Sequence, residues 1–71
     1  MYLILRGEMV KKKITIYKLA EMINISEKSL RNKINGDTEF TWSEIQKVHR
    51  IVNPEMSKDE LFKRESLLQT N

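Results

Sequence analysis

The stretch ISEKSLRNKING, Ile25 to Gly36, is typical of one short helix with its own start and stop signals, although few of its interior residues are apolar. With Ser26 as N-cap, Leu30 and Ile34 lie four positions apart and face the core. The outward-facing residues are then Glu27, Lys28, Arg31 and Asn32, with Ser29 and Lys33 near the flanks. Lys and Arg can donate to guanine, Asn can pair with adenine, and Glu can accept from cytosine. The polar outer face of a helix is usually only solvated. The neighbouring elements must therefore show whether this face binds a partner.

Four helix starts in this chain use the same pattern, with Ser or Thr at the N-cap and an apolar residue just before it. In each case a second apolar residue lies five positions after the first and packs back on it. The four sets are Ile14-Thr15 with Leu19, Ile25-Ser26 with Leu30, Phe40-Thr41 with Ile45, and Met56-Ser57 with Leu61. Thr41 with Glu44 and Ser57 with Glu60 also match the capping box.

The stop signals divide the chain into short helices. Asn24 and Gly36 suit the left-handed conformation that ends a helix, and Asn53-Pro54 ends the segment beginning at Trp42. Before Thr15, apolar residues recur at helical spacing. The sequence therefore predicts an all-α, compact five-helix bundle in a single domain over residues 1–71, with helices at about 2–12, 16–23, 27–35, 42–52 and 58–68 and a frayed tail at 69–71.

The second and third helices form a recognisable pair. A helix of about eight residues, a turn of about three and a second capped helix make the helix-turn-helix arrangement. Ala20 is placed where the two helices approach most closely, and Asn24 takes the turn position, where it tolerates positive φ. Within such a pair, the polar face of the second helix is expected to read bases.

The segment ITIYKLAEMINISEKSLRNKING, together with FTWSEIQKVHRIV and MSKDELF, resembles the lambda-repressor-like, Cro/C1-type helix-turn-helix proteins of phages and bacteria. The resemblance implies that the third helix lies in the DNA major groove. Three residues depart from the family pattern: Asn24 replaces the turn glycine, Ile16 replaces a polar residue that touches the DNA backbone, and Ile34 replaces a common acid. The acid's usual arginine partner corresponds to Met9, so we expect Met9 and Ile34 to be buried in contact.

Phosphate contacts are expected at the edges of the groove. The predicted phosphate-binding residues are Lys12, Lys13, Tyr17, Lys18, Lys33 and Thr38, and the predicted base-reading residues are Glu27, Lys28, Ser29, Arg31 and Asn32. The run Lys11 to Lys13 has an alternative interpretation as a solvated helix end that favours the helix dipole. The charge distribution agrees with a polyanion partner, since residues 1–36 carry eight Lys/Arg and three acids, whereas residues 37–71 carry five and seven.

Composition excludes several other kinds of site. The chain has no cysteine and one histidine, which leaves no ligand set for structural zinc and fits a reducing, cytoplasmic compartment. The longest apolar run, Met1 to Leu5, is too short to span a membrane. Glu44 and Glu60 have capping roles and no nucleophile partner is in view, so we expect neither an enzyme nor a cofactor, metal or small-molecule ligand.

The remaining residues have competing interpretations. We expect Phe40 and Trp42 to pack in the core, with base stacking as the alternative, and His49 to be solvated. Leu67 and Leu68 either extend the fifth helix or form a dimer contact.

The function predicted from the helix-turn-helix and the resemblance is a sequence-specific DNA-binding regulator of the Cro or small-repressor kind, bound to double-stranded DNA as a homodimer. The alternatives are a DNA-binding antitoxin and an interaction module that has lost DNA binding.

Overall fold

The computed structural model describes residues 1–64, and every regular element in this part of the chain is a helix. The five helices are α1 (Leu3–Lys11), α2 (Ile16–Ile23), α3 (Glu27–Asn35), α4 (Trp42–Val52) and α5 (Lys58–Leu61). Helix α2 packs on α3 and α4, while α1 packs on α4 and α5. The predicted fold class and the bounds of the first four helices are confirmed to within a residue.

The four predicted N-caps form as hydrogen bonds. The hydroxyl oxygens of Thr15, Ser26, Thr41 and Ser57 each accept the backbone N–H three residues later, at 3.0 to 3.1 Å. At Thr41 the predicted capping box is complete, because the Thr41 N–H also donates to Glu44 Oε1 at 2.9 Å. At Ser57 only the hydroxyl half of the predicted box forms, without a return bond from the Glu60 side chain. Each cap satisfies a backbone donor that a helix start otherwise leaves unpaired, which explains why the helices begin where the sequence predicts.

The core collects side chains from all five helices. Its buried members are Tyr2, Leu5, Met9, Leu19, Ala20, Ile23, Leu30, Ile34, Phe40, Val48, Val52 and Leu61. Met9 and Ile34 are 2% and 0% exposed and belong to this one cluster. Their predicted burial is therefore confirmed, and apolar side chains occupy the interior at both positions.

The N-terminal residues close the bundle over the end of α3. The Tyr2 backbone N–H donates to the Ile34 carbonyl oxygen at 3.2 Å. The Tyr2 ring packs edge-on against Phe40 and Phe62, with centroid distances of 5.4 and 5.9 Å, and the rings of Phe40 and Phe62 lie 5.2 Å apart. Edge-to-face geometry is favourable between aromatic rings, so this trio joins the chain's first residues to α5 and to the α3–α4 connection.

One buried carboxylate connects α1 to the end of α4. Glu8 is 8% exposed and accepts hydrogen bonds from Lys11 Nζ at 3.0 Å and Asn53 Nδ2 at 3.1 Å. The hydrogen bond from Lys11, more than any other interaction, holds the pKa of the Glu8 carboxyl below its ordinary value, against the opposing effect of burial. These contacts satisfy a polar group that would otherwise be costly to bury.

Three expectations need correction. Trp42 lies on the surface, 63% exposed, because the first position of α4 points away from the cluster; Phe40 alone enters the core. His49 is half-buried, and its Nε2–H donates to the Met56 carbonyl oxygen at 2.7 Å. Helix α5 ends at Leu61, with Phe62 as its C-cap, short of the predicted end at 68. Residues 65–71, which include Leu67, Leu68 and the predicted frayed tail, lie outside the described residues.

Candidate nucleic-acid interface

The connection between α2 and α3 has the geometry that a helix-turn-helix requires. Asn24 adopts the left-handed conformation, with φ 65° and ψ 45°, as its position in the turn predicts. The next N–H, that of Ile25, donates to the Ala20 carbonyl oxygen at 3.0 Å. Ser26 then caps α3. Because Ala20 is buried against the crossing with a minimal side chain, α3 can pack closely on α2.

Helix α3 divides into a buried face and an exposed face. Leu30 and Ile34 are both fully buried. Of the predicted base-reading residues, Glu27, Lys28 and Arg31 are exposed, while Ser29 and Asn32 are half-buried. The exposed face therefore presents an acceptor and two cationic donors, and the half-buried residues add polar groups at its edges.

Two residues on the exposed face of α3 pair with each other. Arg31 Nη2 lies 2.8 Å from Glu27 Oε2, one helical turn away, and about half of each side chain is exposed. Exposed pairs at this spacing contribute only about 0.3 to 0.5 kcal/mol. The pairing therefore costs little to break, and while it is formed Glu27 restrains the Arg31 guanidinium.

Lys33 is held inside the bundle. Its ammonium lies 3.2 Å from Glu44 Oε1 and donates to the Glu39 carbonyl oxygen at 2.9 Å. Both side chains of the ion pair are largely buried, 12% exposed for Lys33 and 16% for Glu44. Burial raises the pKa of the Glu44 carboxyl, but hydrogen bonds from Thr41 and the charge of Lys33 outweigh it, and the pKa lies below its ordinary value. A phosphate at Lys33 would have to compete with two partners already in place.

The remaining predicted phosphate-binding residues differ in their surroundings. Lys13, Tyr17, Lys18 and Thr38 are exposed, and Lys13, in the connection between α1 and α2, has a positive φ of 59°. The Lys12 ammonium instead donates to the Val52 carbonyl oxygen at the end of α4. This contact satisfies a terminal helix carbonyl and places the charge favourably for the α4 dipole.

The C-terminal end of α3 has a neighbour that sequence reasoning missed. Gly36 ends the helix with φ 94°, and the Asp37 N–H donates to the Asn32 carbonyl oxygen at 2.8 Å. The Arg64 side chain donates to the Gly36 carbonyl oxygen at 3.3 Å and lies 3.5 Å from the Glu39 carboxylate. No local sequence signal connects Arg64 with a position 28 residues earlier.

Within residues 1–64, no helix has the length and apolar character needed to cross a membrane. The same residues contain no group of three or more His, Asp or Glu side chains arranged to hold a metal ion.

Residues 5–57 match the family profile of the Cro/C1-type HTH DNA-binding domain. The match spans the caps, the Asn24 turn and both helices of the helix-turn-helix, and it covers most of the chain. The chain belongs to this family of helix-turn-helix DNA-binding domains. Searches of curated proteins and of solved structures found no match.

Proposed function

We propose that this protein is a sequence-specific transcriptional regulator of the Cro/C1 repressor type that places α3 in the major groove. The observation that carries the proposal is the division of α3, in which Leu30 and Ile34 anchor one face and Glu27, Lys28 and Arg31 occupy the other. An amphipathic helix held by its apolar face can present its polar face to base edges without rearrangement.

The proposed contacts fall into two groups. Glu27, Lys28, Ser29, Arg31 and Asn32 read bases, because their side chains match donor and acceptor patterns in the major groove. Lys13, Tyr17, Lys18 and Thr38 bind phosphates, since these side chains are exposed and follow α1, begin α2 or follow α3. Lys12 and Lys33 are left out of the second group because the bundle already supplies their partners.

The proposed regulator acts as a homodimer on a two-fold operator. One short helix reads only a few base pairs, whereas two copies of α3 about 34 Å apart read two half-sites and discriminate better against genomic DNA. We propose that occupying the operator excludes polymerase, in the cytoplasm of a bacterial or phage-infected cell. We also propose a single domain without catalysis, cofactor or small-molecule ligand, since the exposed chemistry is that of DNA recognition.

Binding to duplex DNA at two salt concentrations tests this function directly. With roughly four phosphate contacts per subunit, a fourfold rise in salt should weaken binding by about a hundredfold per subunit. Fluorescence anisotropy with labelled genomic fragments measures the change, and selection from a random duplex library identifies the operator. Affinity that does not vary with salt, or selection that yields no preferred sequence, contradicts the proposal.

A second candidate function has one observation in its favour. Ile16, at the start of α2, is half-buried and packs against the core, in the place where the family resemblance implies a polar contact to the DNA backbone. A fold that has lost DNA binding and retained protein binding would tolerate this residue. Restoring a polar side chain with Ile16→Gln should strengthen DNA binding if the regulator proposal is right, and leave it absent if the interaction module is right.

A further inference from the structure

The outer face of α4 carries an exposed tryptophan that DNA reading leaves unexplained. Trp42 is the first residue of α4, and the Lys58 ammonium of α5 lies 5.7 Å from the centroid of its ring. Tryptophan is a large apolar side chain, and in proteins an exposed one flanked by cations often contributes to binding. Trp42 lies outside the core cluster, so core packing does not explain its presence at this position.

A recess of about 280 Å³ lies between α4 and α5, and we call it the α4–α5 recess. Its lining residues are Gln46, His49, Arg50, Pro54 and Lys58. Lys58, whose ammonium lies near the Trp42 ring, is one of these lining residues. Trp42, Gln46 and Arg50 follow one another at four-residue spacing, so they form one stripe about 12 Å long. The hydrogen bond from His49 to the Met56 carbonyl oxygen fixes one wall of the recess.

The recess is positively charged. Within residues 1–64, no carboxylate lies at ion-pair distance from Arg50 or Lys58, and the residues that line the recess include no acid. Two cations on the rim and an indole ring at one end favour an occupant that combines carboxylates with an apolar group.

We propose that the α4–α5 recess binds an acidic segment of a partner protein. One aliphatic or aromatic side chain enters beside Trp42, and flanking Asp or Glu carboxylates pair with Arg50 and Lys58. The volume is slightly below the roughly 300 to 1,000 Å³ of small-molecule pockets, which suits one inserted side chain. A two-fold contact with a second copy of this chain would bring the same cations face to face. Duplex DNA could offer phosphates to Arg50 and Lys58, but it offers no apolar group for the Trp42 end.

Trp42 is the sole tryptophan of the chain, so its fluorescence reports on binding beside Lys58, at one end of the recess. The probes are three capped pentapeptides in which two acidic residues flank each side of a central leucine, phenylalanine or alanine. We expect a saturable change in emission with the leucine or phenylalanine peptide, weaker with alanine, and weakened by salt. The proposal is overturned if all three peptides give no saturable change up to the millimolar range.

Matched variants show whether binding uses the proposed cations. The double variant Arg50→Gln/Lys58→Gln should reduce peptide affinity by about tenfold or more, the loss expected for two charge pairs. The control Lys47→Gln/Lys63→Gln removes the same charge from exposed positions and should leave affinity within about twofold. Equal losses in both variants would mean nonspecific attraction by net charge and would overturn the proposal.

Two further measurements separate the other occupants. Sedimentation should give the same oligomeric state for the Arg50→Gln/Lys58→Gln variant as for the unmodified chain; a changed state would assign the surface to a second copy. Saturating duplex DNA should not displace the peptide, and displacement would assign the surface to DNA. Because the peptide titration needs no DNA, its failure and the failure of the proposed regulator function are distinguishable.

Discussion

Lys33 and Glu44 form an ion pair that joins the last turn of α3 to the first turn of α4, with Lys33 Nζ 3.2 Å from Glu44 Oε1. The same Glu44 oxygen accepts the Thr41 N–H, so one carboxylate both caps α4 and restrains α3. The pair is largely buried, which limits screening by water and salt. We therefore infer that Lys33 fixes the position of α3 relative to α4.

Removing either member of this pair should destabilise the bundle. Lys33→Met keeps the aliphatic stem but leaves Glu44 with one partner fewer, and we expect a loss of about 1 to 2 kcal/mol in the free energy of unfolding. A double-mutant cycle with Glu44→Gln, measured by urea denaturation, should give a coupling energy of about 1 kcal/mol. Lys47→Met on the exposed face of α4 is the control. A coupling energy near zero would show that the pair does not connect the two helices.

The carboxyl of Glu44 should contribute to acid sensitivity. Its pKa in the folded protein lies below the ordinary value of 4.5, so the folded state favours the carboxylate. The resulting stability is fully present above pH 4.5 and is lost as the pH falls through the lowered pKa. Denaturant unfolding at a series of pH values should show a shallower acid loss for Glu44→Gln than for the unmodified chain. Identical pH dependence would contradict this assignment.

Replacing each of the two glycines by alanine should change the stability of the fold in opposite directions. Gly7 lies inside α1, and a Cβ there would meet no atom within 4 Å, so Gly7→Ala should stabilise by about 0.5 to 1 kcal/mol. Gly36 has φ 94°, and a Cβ there would lie 3.0 Å from Arg64 Nη2, so Gly36→Ala should destabilise by about 1 kcal/mol or more. Thermal unfolding followed by circular dichroism gives both signs. Stabilisation by Gly36→Ala would be inconsistent with the left-handed end of α3.

Charge at Ile34 should be poorly tolerated. Ile34 and Met9 lie in one apolar cluster, so Ile34→Glu places an unpaired carboxylate in the core and should cost about 3 to 5 kcal/mol. Adding Met9→Arg should recover part of the loss by supplying a partner, whereas Val10→Arg, at an exposed position of α1, should recover none. Denaturant unfolding of the four chains decides between these outcomes. Equal recovery by both arginines would refute pairing across the interior.

Base-reading and phosphate-binding residues should give different patterns of DNA affinity. Arg31→Ala should cost about 1 to 3 kcal/mol per half-site on the operator and little on random DNA, whereas Lys18→Ala should weaken both similarly. Glu27→Gln removes the partner that restrains Arg31, and we expect it to strengthen random-DNA binding and reduce discrimination. Anisotropy titrations on matched operator and random duplexes measure all three. If Arg31→Ala reduced the affinity for both duplexes equally, Arg31 on α3 would not be reading bases.

The sequence by itself determined the features that depend on neighbouring residues. An N-cap joins a hydroxyl to an N–H three residues later, and the left-handed turns at Asn24 and Gly36 depend on the residue's own preference for positive φ. Helical spacing likewise separated Leu30 and Ile34 from the polar face of α3. These interactions lie within one or two helical turns, so they can be recognised without knowing how the helices pack.

Only the tertiary structure decided which side chains meet across the bundle. Lys12 contacts the backbone carbonyl of Val52, 40 residues away, and Glu8 contacts the side-chain amide of Asn53, 45 residues away. Neither contact leaves a periodic signal in the sequence. Phe40 and Trp42 flank the same N-cap, Thr41, yet Phe40 is buried and Trp42 is exposed. The direction in which Trp42 points depends on how α4 packs against α1, α2 and α5. Local hydrogen bonds set where the helices begin and end, whereas packing sets the direction in which each residue points.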